Sequence, residues 1–185
     1  MNKYNLLAFL ESLPDARRGQ GRRHSLSSFL VMIVFAIISG QQGLRGFVRF
    51  MKIHEEFFTS IFGLKHGVPS FGTTRTLLQS VSDQELSKSF CDWMKNYFPA
   101  EDEIWIAIDG KALCSTVQDP FGKGQNFASI VSAFAQRSGL VYAQALFNTG
   151  KSYEPRQVRQ LIDQLQLNDV IFSLDAIHCQ KKRLT

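Results

Sequence analysis

The sequence predicts a mixed fold, between α+β and α/β, with a helical N-terminal domain over residues 1–99 and a sheet-containing domain over residues 100–185. Apolar residues recur at helical spacing before residue 100, whereas the continuous and alternating apolar runs typical of strands follow it. Hydrophobic residues make up 44% of the 185 residues, enough for a core without disulfides or a structural metal. The composition therefore excludes global disorder and low-complexity architectures.

The first domain contains one apolar run, which extends from Phe29 to Ile38. It predicts a buried helix and no membrane anchor, because its length is about half of what spans a bilayer. After Gly40 the pattern predicts an amphipathic helix with an apolar stripe on one face. A separate stripe of positive charge follows the same helix and consists of Arg45, Arg49 and Lys52.

Two more helices are predicted before residue 100. Ser82 and Glu85 have the spacing of a capping box, and the apolar stripe after them predicts a helix that ends before Pro99. A shorter helix is predicted from Thr73 to Val81. Its first residues, Thr73, Thr74 and Arg75, are compatible with a DNA recognition helix, although the pattern alone does not establish a helix-turn-helix.

From residue 104 onward the predicted order of elements is β-β-β-α-β. The segments Ile104 to Ile108 and Val170 to Leu174 are wholly apolar, which is typical of strands covered on both faces. Between them, residues 125–135 and 140–147 flank a turn and predict a hairpin. A helix with Pro155 in its first turn then leads to the last strand.

An aspartate follows each of the two wholly apolar strands, Asp109 after the first and Asp175 after the second. A helical crossover favours parallel pairing, so both carboxylates are predicted at the same edge of the sheet. Neighbouring carboxylates resist joint ionisation unless a cation lies between them, and oxygen ligands favour Mg²⁺ or Mn²⁺. The alternative is that each aspartate simply begins a turn.

Six segments, in order along the chain, resemble insertion-sequence DDE transposases of the H-repeat-associated kind, in the insertion-sequence-four-like group. The resemblance extends from about Leu7 to the last residue. The matching segments are Leu13 to Leu26 (LPDARRGQGRRHSL), Val68 to Leu77 (VPSFGTTRTL), Ile106 to Lys111 (IAIDGK), Val131 to Ala135 (VSAFA), Lys151 to Glu154 (KSYE) and Leu174 to Gln180 (LDAIHCQ).

The resemblance implies a ribonuclease-H-like catalytic domain that cuts and joins DNA with two divalent ions, Mg²⁺ or Mn²⁺. Asp109 and Asp175 match the first two acids of the DDE triad. The third acid, a glutamate, is expected well past Asp175, but only ten residues follow. We therefore expect a truncated or decayed copy, or one fragment of an interrupted gene, that is inactive alone. Its sheet domain is expected to be incomplete, with exposed apolar surface near the last strand. The resemblance also implies a homo-oligomer on DNA ends.

Glu154, Lys111 and Lys151 are further candidates for the site. Glu154 opens the helix after the hairpin and is either a ligand of the metal site or a glutamate stabilised by the helix dipole. Lys111, just after Asp109, and Lys151 are either phosphate contacts or solvated lysines.

The net charge of +5 lies wholly in the first domain, which has 12 Lys and Arg against 7 Asp and Glu. This asymmetry indicates a polyanionic partner such as DNA. The basic cluster of Arg17, Arg18, Arg22 and Arg23 is interleaved with glycines and predicts a flexible loop on DNA phosphates or, alternatively, a solvated connector.

Three classes of function remain open. The first is a transposase-family protein whose intact relatives perform two-metal phosphoryl transfer, and the second is a non-catalytic DNA-binding remnant. A nuclease or hydrolase on another substrate is weaker, because no nucleophile occurs with its base. The three cysteines lack metal-ligand spacing and predict reduced thiols, which together with the absence of a membrane segment indicates a cytoplasmic protein.

Overall fold

The structure, a computed structural model, describes residues 5–19, 22–97, 105–118, 126–148 and 154–175. The chain divides into two compact units, Met1–Glu85 and Leu86–Thr185. The described elements are, in order, α1 Leu6–Glu11, α2 Leu26–Ile38, α3 Gly43–Ile53, α4 Glu55–Phe62, α5 Phe71–Ser80, α6 Asp83–Tyr97, β1 Trp105–Gln118, β2 Asn126–Ala135, β3 Leu140–Asn148, α7 Glu154–Leu165 and β4 Ile171–Leu174.

Side-chain caps determine where the helices of the first unit begin. The Ser25 hydroxyl accepts a hydrogen bond from the Ser28 amide at 3.1 Å and starts α2, while Ser70 does the same for α5 through the Thr73 amide. The Ser82 hydroxyl accepts from the Glu85 amide at the start of α6, as the capping-box spacing predicts. The helices predicted from the sequence are thus present with slightly different bounds.

The core of the first unit consists of buried side chains from four helices, namely Leu26, Phe29, Met32, Ile33, Met51, Phe58 and Leu77. The expectation that the whole run from Phe29 to Ile38 is buried is wrong at its C-terminal end. Phe35 is exposed there, as are Ile37 and Ile38, the latter to 78%. The helix is apolar on nearly every side, but only one side of its last turn is buried: Ala36 is wholly buried there, whereas Phe35 contacts the Phe57 and Phe58 rings of α4 and stays exposed.

Thr74 is buried in α5, and its hydroxyl has no hydrogen-bond partner within the part of the chain that the structure describes. Burying a hydroxyl without a partner costs free energy. We expect Thr74→Val to raise the free energy of unfolding by about 1 kcal/mol. Thr73→Val is the matched control, because the Thr73 hydroxyl contacts Ser70 at 3.0 Å and its loss should not stabilise the protein. Chemical denaturation of both variants measures the difference.

The second unit is built on a four-stranded sheet in the order β3-β2-β1-β4. β2 pairs antiparallel with both β1 and β3, which confirms the predicted hairpin. β4 pairs parallel with β1, with Trp105 opposite Ile171 and Ile108 opposite Leu174. The side-by-side, parallel arrangement predicted for the two apolar strands is therefore present.

β1 is longer than the sequence predicts. The segment Asp109-Gly110-Lys111 was expected to end the strand, but β1 continues to Gln118. The reason is its partner: Asp109 pairs with Ser132 and Lys111 with Ile130, so the hairpin strand β2 holds β1 extended past the end of β4. Ladder pairing with β2 overrides the turn preference of the Asp-Gly dipeptide.

One face of the sheet is buried. Ile106, Ile108 and their β2 partners pack there with residues of α7 such as Leu161, and Cys91 of α6 belongs to the same core. Burial raises the pKa of the Cys91 thiol. Lys95 of α6 donates to the Gln164 carbonyl at 2.7 Å. Most of α6 therefore belongs to the sheet unit, and the predicted boundary at residue 99 lies outside the described residues.

The opposite face of the sheet is open. Because paired residues share a face, the register places four large apolar side chains on it, and they are between 40% and 50% exposed: Trp105, Phe134, Leu146 and Ile171. The expectation that β1 and β4 are covered on both faces is therefore wrong. The apolar surface expected near the last strand is present in Ile171 and its neighbour Trp105.

Within the described ranges, no single helix is long and apolar enough to cross a membrane. α2 and α3 together reach that length and apolarity, but they are bent by 103° at the break between them.

Candidate functional site

The last residue pair between β1 and β4 is Ile108 opposite Leu174, and Asp109 and Asp175 directly follow these two residues. At that level the two backbones are one strand spacing apart, about 5 Å. Asp109 alternates with the buried Ile108 and therefore lies on the open face, and both aspartates are exposed. The two carboxylate-bearing positions are thus at the same level of neighbouring parallel strands.

A polar row crosses the open face from Asp109. The residue opposite Asp109 is Ser132 of β2, and the residue opposite Ser132 is Gln144 of β3. The Gln144 side-chain amide donates a hydrogen bond to the Ser132 hydroxyl at 3.2 Å. Directly opposed side chains in antiparallel strands have Cβ atoms about 5 Å apart, so Ser132 and Asp109 are neighbours on this face.

Sequence reasoning did not select Ser132 or Gln144. The available signal was a polar residue inside each apolar strand, Ser132 in SIVSAFA and Gln144 in YAQALF. Placing these two residues in a row with Asp109 requires the β1–β2 and β2–β3 registers. The β2–β3 register shifts between Ala133 and Phe134, so counting from the turn would misplace Gln144.

The donors at this site are of the type that hard divalent ions take. Asp109 and Asp175 contribute carboxylate oxygens, and Ser132 adds a hydroxyl beside the first. No group of three His, Cys, Asp or Glu side chains suited to a metal occurs within the described ranges.

Glu154 is the first residue of α7, and Lys151 lies outside the described residues. Lys111, two residues beyond Asp109, is exposed.

Arg17 holds the basic segment of the first unit in place. Its Nε and Nη2 atoms donate to the two carboxylate oxygens of Asp15 at 2.8 and 2.7 Å, and Nη2 also donates to the His24 carbonyl. The Arg17 side chain is only 8% exposed. The hydrogen bond from Arg17 is the main cause that lowers the pKa of Asp15. This pairing stabilises the loop, so we expect Arg17 to act inside the protein and not on DNA.

Arg22 also makes internal hydrogen bonds, donating to the backbone carbonyls of Arg17 and Asp15 at 2.9 and 2.7 Å. The predicted flexible loop is therefore an ordered one in its described part. Arg18 and Arg23 are exposed. Arg22 and Arg23 border a cleft of about 490 Å³ that the start of α2 also lines.

His24, next to this loop, is buried. Burial is the main cause that lowers the pKa of His24, with a smaller contribution from His66 and Arg23. The unfolded chain therefore binds more protons than the folded one below the ordinary pKa of 6.5. We expect stability to fall as the pH drops from about 7 to about 5, and His24→Gln to flatten that decline. Thermal melts across this range measure it, and an unchanged slope in His24→Gln would refute the assignment.

The positive stripe of α3 is present as predicted, with Arg45, Arg49 and Lys52 all exposed. Arg49 donates to the Gln41 side chain at 3.3 Å, a weak neutral contact that leaves its charge uncompensated. The surroundings contain few acids: residues 16–82 include nine Lys and Arg but only Glu55 and Glu56 as acidic residues. The whole first unit, residues 1–85, holds ten Lys and Arg against six Asp and Glu, which is a formal excess of four positive charges.

Comparison with known proteins agrees with the resemblance in the motifs. Residues 7–94 match the family model described as DDE_Tnp_1-associated. The chain is 28% identical over 181 residues to "H repeat-associated putative transposase YbfD" of Escherichia coli K12, covering 98% of this chain and 70% of the relative. It is equally similar to "H repeat-associated putative transposase YhhI" of the same strain, of which it covers 47%.

A third relative from that strain, "Putative transposase YncI", is 29% identical over 183 residues and is covered to 72%. The chain thus spans between about half and three-quarters of the length of these relatives. No solved structure matches it significantly.

Proposed function

Because this chain is a relative of the H repeat-associated transposases and carries a DDE_Tnp_1-associated segment over residues 7–94, we propose that it serves DNA transposition. In this proposal the helical unit binds DNA. The sheet unit is the first part of a ribonuclease-H-like domain, with Asp109 and Asp175 as its first two catalytic acids.

The chemistry of the sheet site follows from its oxygen donors. Asp109 and Asp175 would hold divalent ions such as Mg²⁺ or Mn²⁺ between neighbouring strands. When bound, such ions activate a water or a DNA 3′-hydroxyl and stabilise the leaving oxygen at phosphorus. Ser132, which accepts a hydrogen bond from Gln144, would orient the Asp109 carboxylate if its hydroxyl donated to it, as second-shell hydrogen bonds orient metal ligands. Lys111 is exposed two residues beyond Asp109, and its ammonium group would contact a phosphate of the bound DNA.

The observation that supports this proposal is the parallel register of β1 and β4, in which Ile108 is opposite Leu174 and an aspartate directly follows each of them, 66 positions apart in the chain. The test is nicking of supercoiled plasmid in Mn²⁺ by the full chain and by Asp109→Ala. Activity that disappears in Asp109→Ala supports catalysis.

Binding without cleavage supports a second candidate, a non-catalytic DNA-binding protein. The observation that favours it is the absence of a third acidic ligand beside the two aspartates within the described ranges. The two candidates share the DNA-binding role of the first unit and differ only in the sheet site.

The basic stripe of α3 gives a separate prediction about DNA affinity. Arg45→Ala, Arg49→Ala and Lys52→Ala should each weaken binding to all duplex sequences alike, because phosphate contacts carry no sequence information. Each should lower the slope of log affinity against log salt by about one. Fluorescence anisotropy across a salt series measures this slope. A slope equal to that of the wild type in all three variants would exclude α3 from the DNA contact.

A further inference from the structure

The exposed side of α5 has the composition of a helix that contacts DNA bases. Its exposed residues recur on one stripe: Phe71, Gly72, Arg75, Thr76 and Gln79. Arg75 and Gln79 are four positions apart and therefore project side by side from successive turns. Within the described part of the chain, the Arg75 and Gln79 side chains form no hydrogen bond or ion pair, so both are available to a partner.

Burial of the opposite side fixes the rotation of α5. Thr74 is wholly buried and Leu77 is 1% exposed, and Leu77 belongs to the core that also contains Met51 of α3. α5 packs against α3, the helix with the positive stripe. The sequence pattern suggested Thr73, Thr74 and Arg75 as the contacting residues, but Thr74 faces the core and Thr73 completes the N-terminal cap, so only Arg75 of the three is free to reach a partner.

Charge selects the kind of partner. Residues 57–82, which include all of α5, contain no Asp or Glu, so no carboxylate in this segment would repel a phosphate backbone. An acidic protein surface would not require Gln79, whereas Arg and Gln are the side chains that bind guanine and adenine through paired hydrogen bonds in the major groove. Gly72 has no atom within 4 Å of the position of a Cβ, which leaves room for close approach at the start of the helix.

We propose that α5 enters the major groove of duplex DNA and that Arg75 and Gln79 recognise two nearby base pairs, while α3 contacts the flanking phosphates. The inference rests on the proposed DNA-binding function and adds to it the element and the side chains that determine sequence preference. At about 15 Å, a ten-residue helix has a length suited to the groove.

The experiment begins with selection of preferred duplexes from a random-sequence library by the full wild-type chain. Affinity is then measured for the enriched duplex and for a scrambled duplex of the same composition. The variants are Arg75→Lys, which keeps the charge but loses the bidentate geometry, and Gln79→Ala. Arg49→Ala is the matched control on α3. All three sites are exposed, and circular dichroism verifies that each variant is folded.

We expect Arg75→Lys and Gln79→Ala each to lower the ratio of the two affinities by about 10- to 100-fold, the discrimination of one bidentate base contact, with little loss on the scrambled duplex. Arg49→Ala should weaken both affinities and leave the ratio unchanged. Salt-dependent binding without any preferred sequence, or a preference that survives both α5 variants, overturns this inference alone. A folded chain that binds no duplex overturns the proposed function as well.

Discussion

Arg17→Ala is expected to lower the free energy of unfolding by about 3 kcal/mol, because it removes one partner of a largely buried ion pair. Asp15 would keep its negative charge in a half-buried position, and the His24 carbonyl would lose a donor. Urea denaturation monitored by circular dichroism measures the change as a shift of the midpoint.

Arg18→Ala is the matched control for that substitution. Arg18 is the next residue and carries the same charge, but it is exposed, so its removal should change stability by no more than about 0.5 kcal/mol. If the two variants unfolded at the same denaturant concentration, the structural role assigned to Arg17 would be wrong.

The contrast between these two arginines shows the limit of counting charges along a sequence. The cluster of four arginines indicates a positive loop, and its neighbouring glycines suggest flexibility. The Asp15 carboxylate accepts hydrogen bonds from Arg17 and lies 3.7 Å from Arg22, and backbone carbonyls of the loop accept from both arginines, so part of the cluster becomes internal structure. A sequence pattern does not reveal which arginine reaches the carboxylate, because that depends on how the chain turns between α1 and α2.

The strand pattern was more informative. Two wholly apolar strands joined through a hairpin and a helix predict parallel neighbours, and Ile108 opposite Leu174 confirms it. The exposed face of the sheet was harder to predict. Apolar residues on both faces of β1 suggest that both faces are covered, but Trp105 is 47% exposed. The continuation of β1 beyond Asp109 depends on its pairing with β2, a long-range contact that local turn preference does not contain.

The same limit applies to α5. The pattern after the Pro69-Ser70 turn predicts that the helix exists, but Thr at three of its positions leaves open which side faces the core. The burial of Thr74 settles that orientation and exposes Arg75 and Gln79. The rotation of a helix with a weak apolar stripe is a property of the whole core, so the residues available to a partner become identifiable only in the folded unit.

Asp109→Asn is expected to weaken Mn²⁺ binding by the full chain by about 100-fold, since even partners that only orient metal ligands contribute about 10- to 100-fold. The substitution keeps the shape of the side chain and removes its charge, which leaves Asp175 as the remaining carboxylate at the sheet edge. Asp109 is exposed, so the fold should tolerate asparagine. Electron paramagnetic resonance of free Mn²⁺ during titration measures the affinity without requiring DNA cleavage.

Ser132→Ala and Asp92→Asn separate the site from general charge effects. Asp92 is an exposed aspartate on α6, so its neutralisation should leave Mn²⁺ affinity unchanged. Ser132→Ala should weaken affinity by less than Asp109→Asn, because in the proposed site the hydroxyl only orients the carboxylate and carries no charge of its own. Equal affinities in wild type and Asp109→Asn would contradict a metal site at the β1–β4 edge. If Asp92→Asn weakened Mn²⁺ binding as much as Asp109→Asn does, the loss would be due to the lower negative charge of the sheet unit and not to a specific site.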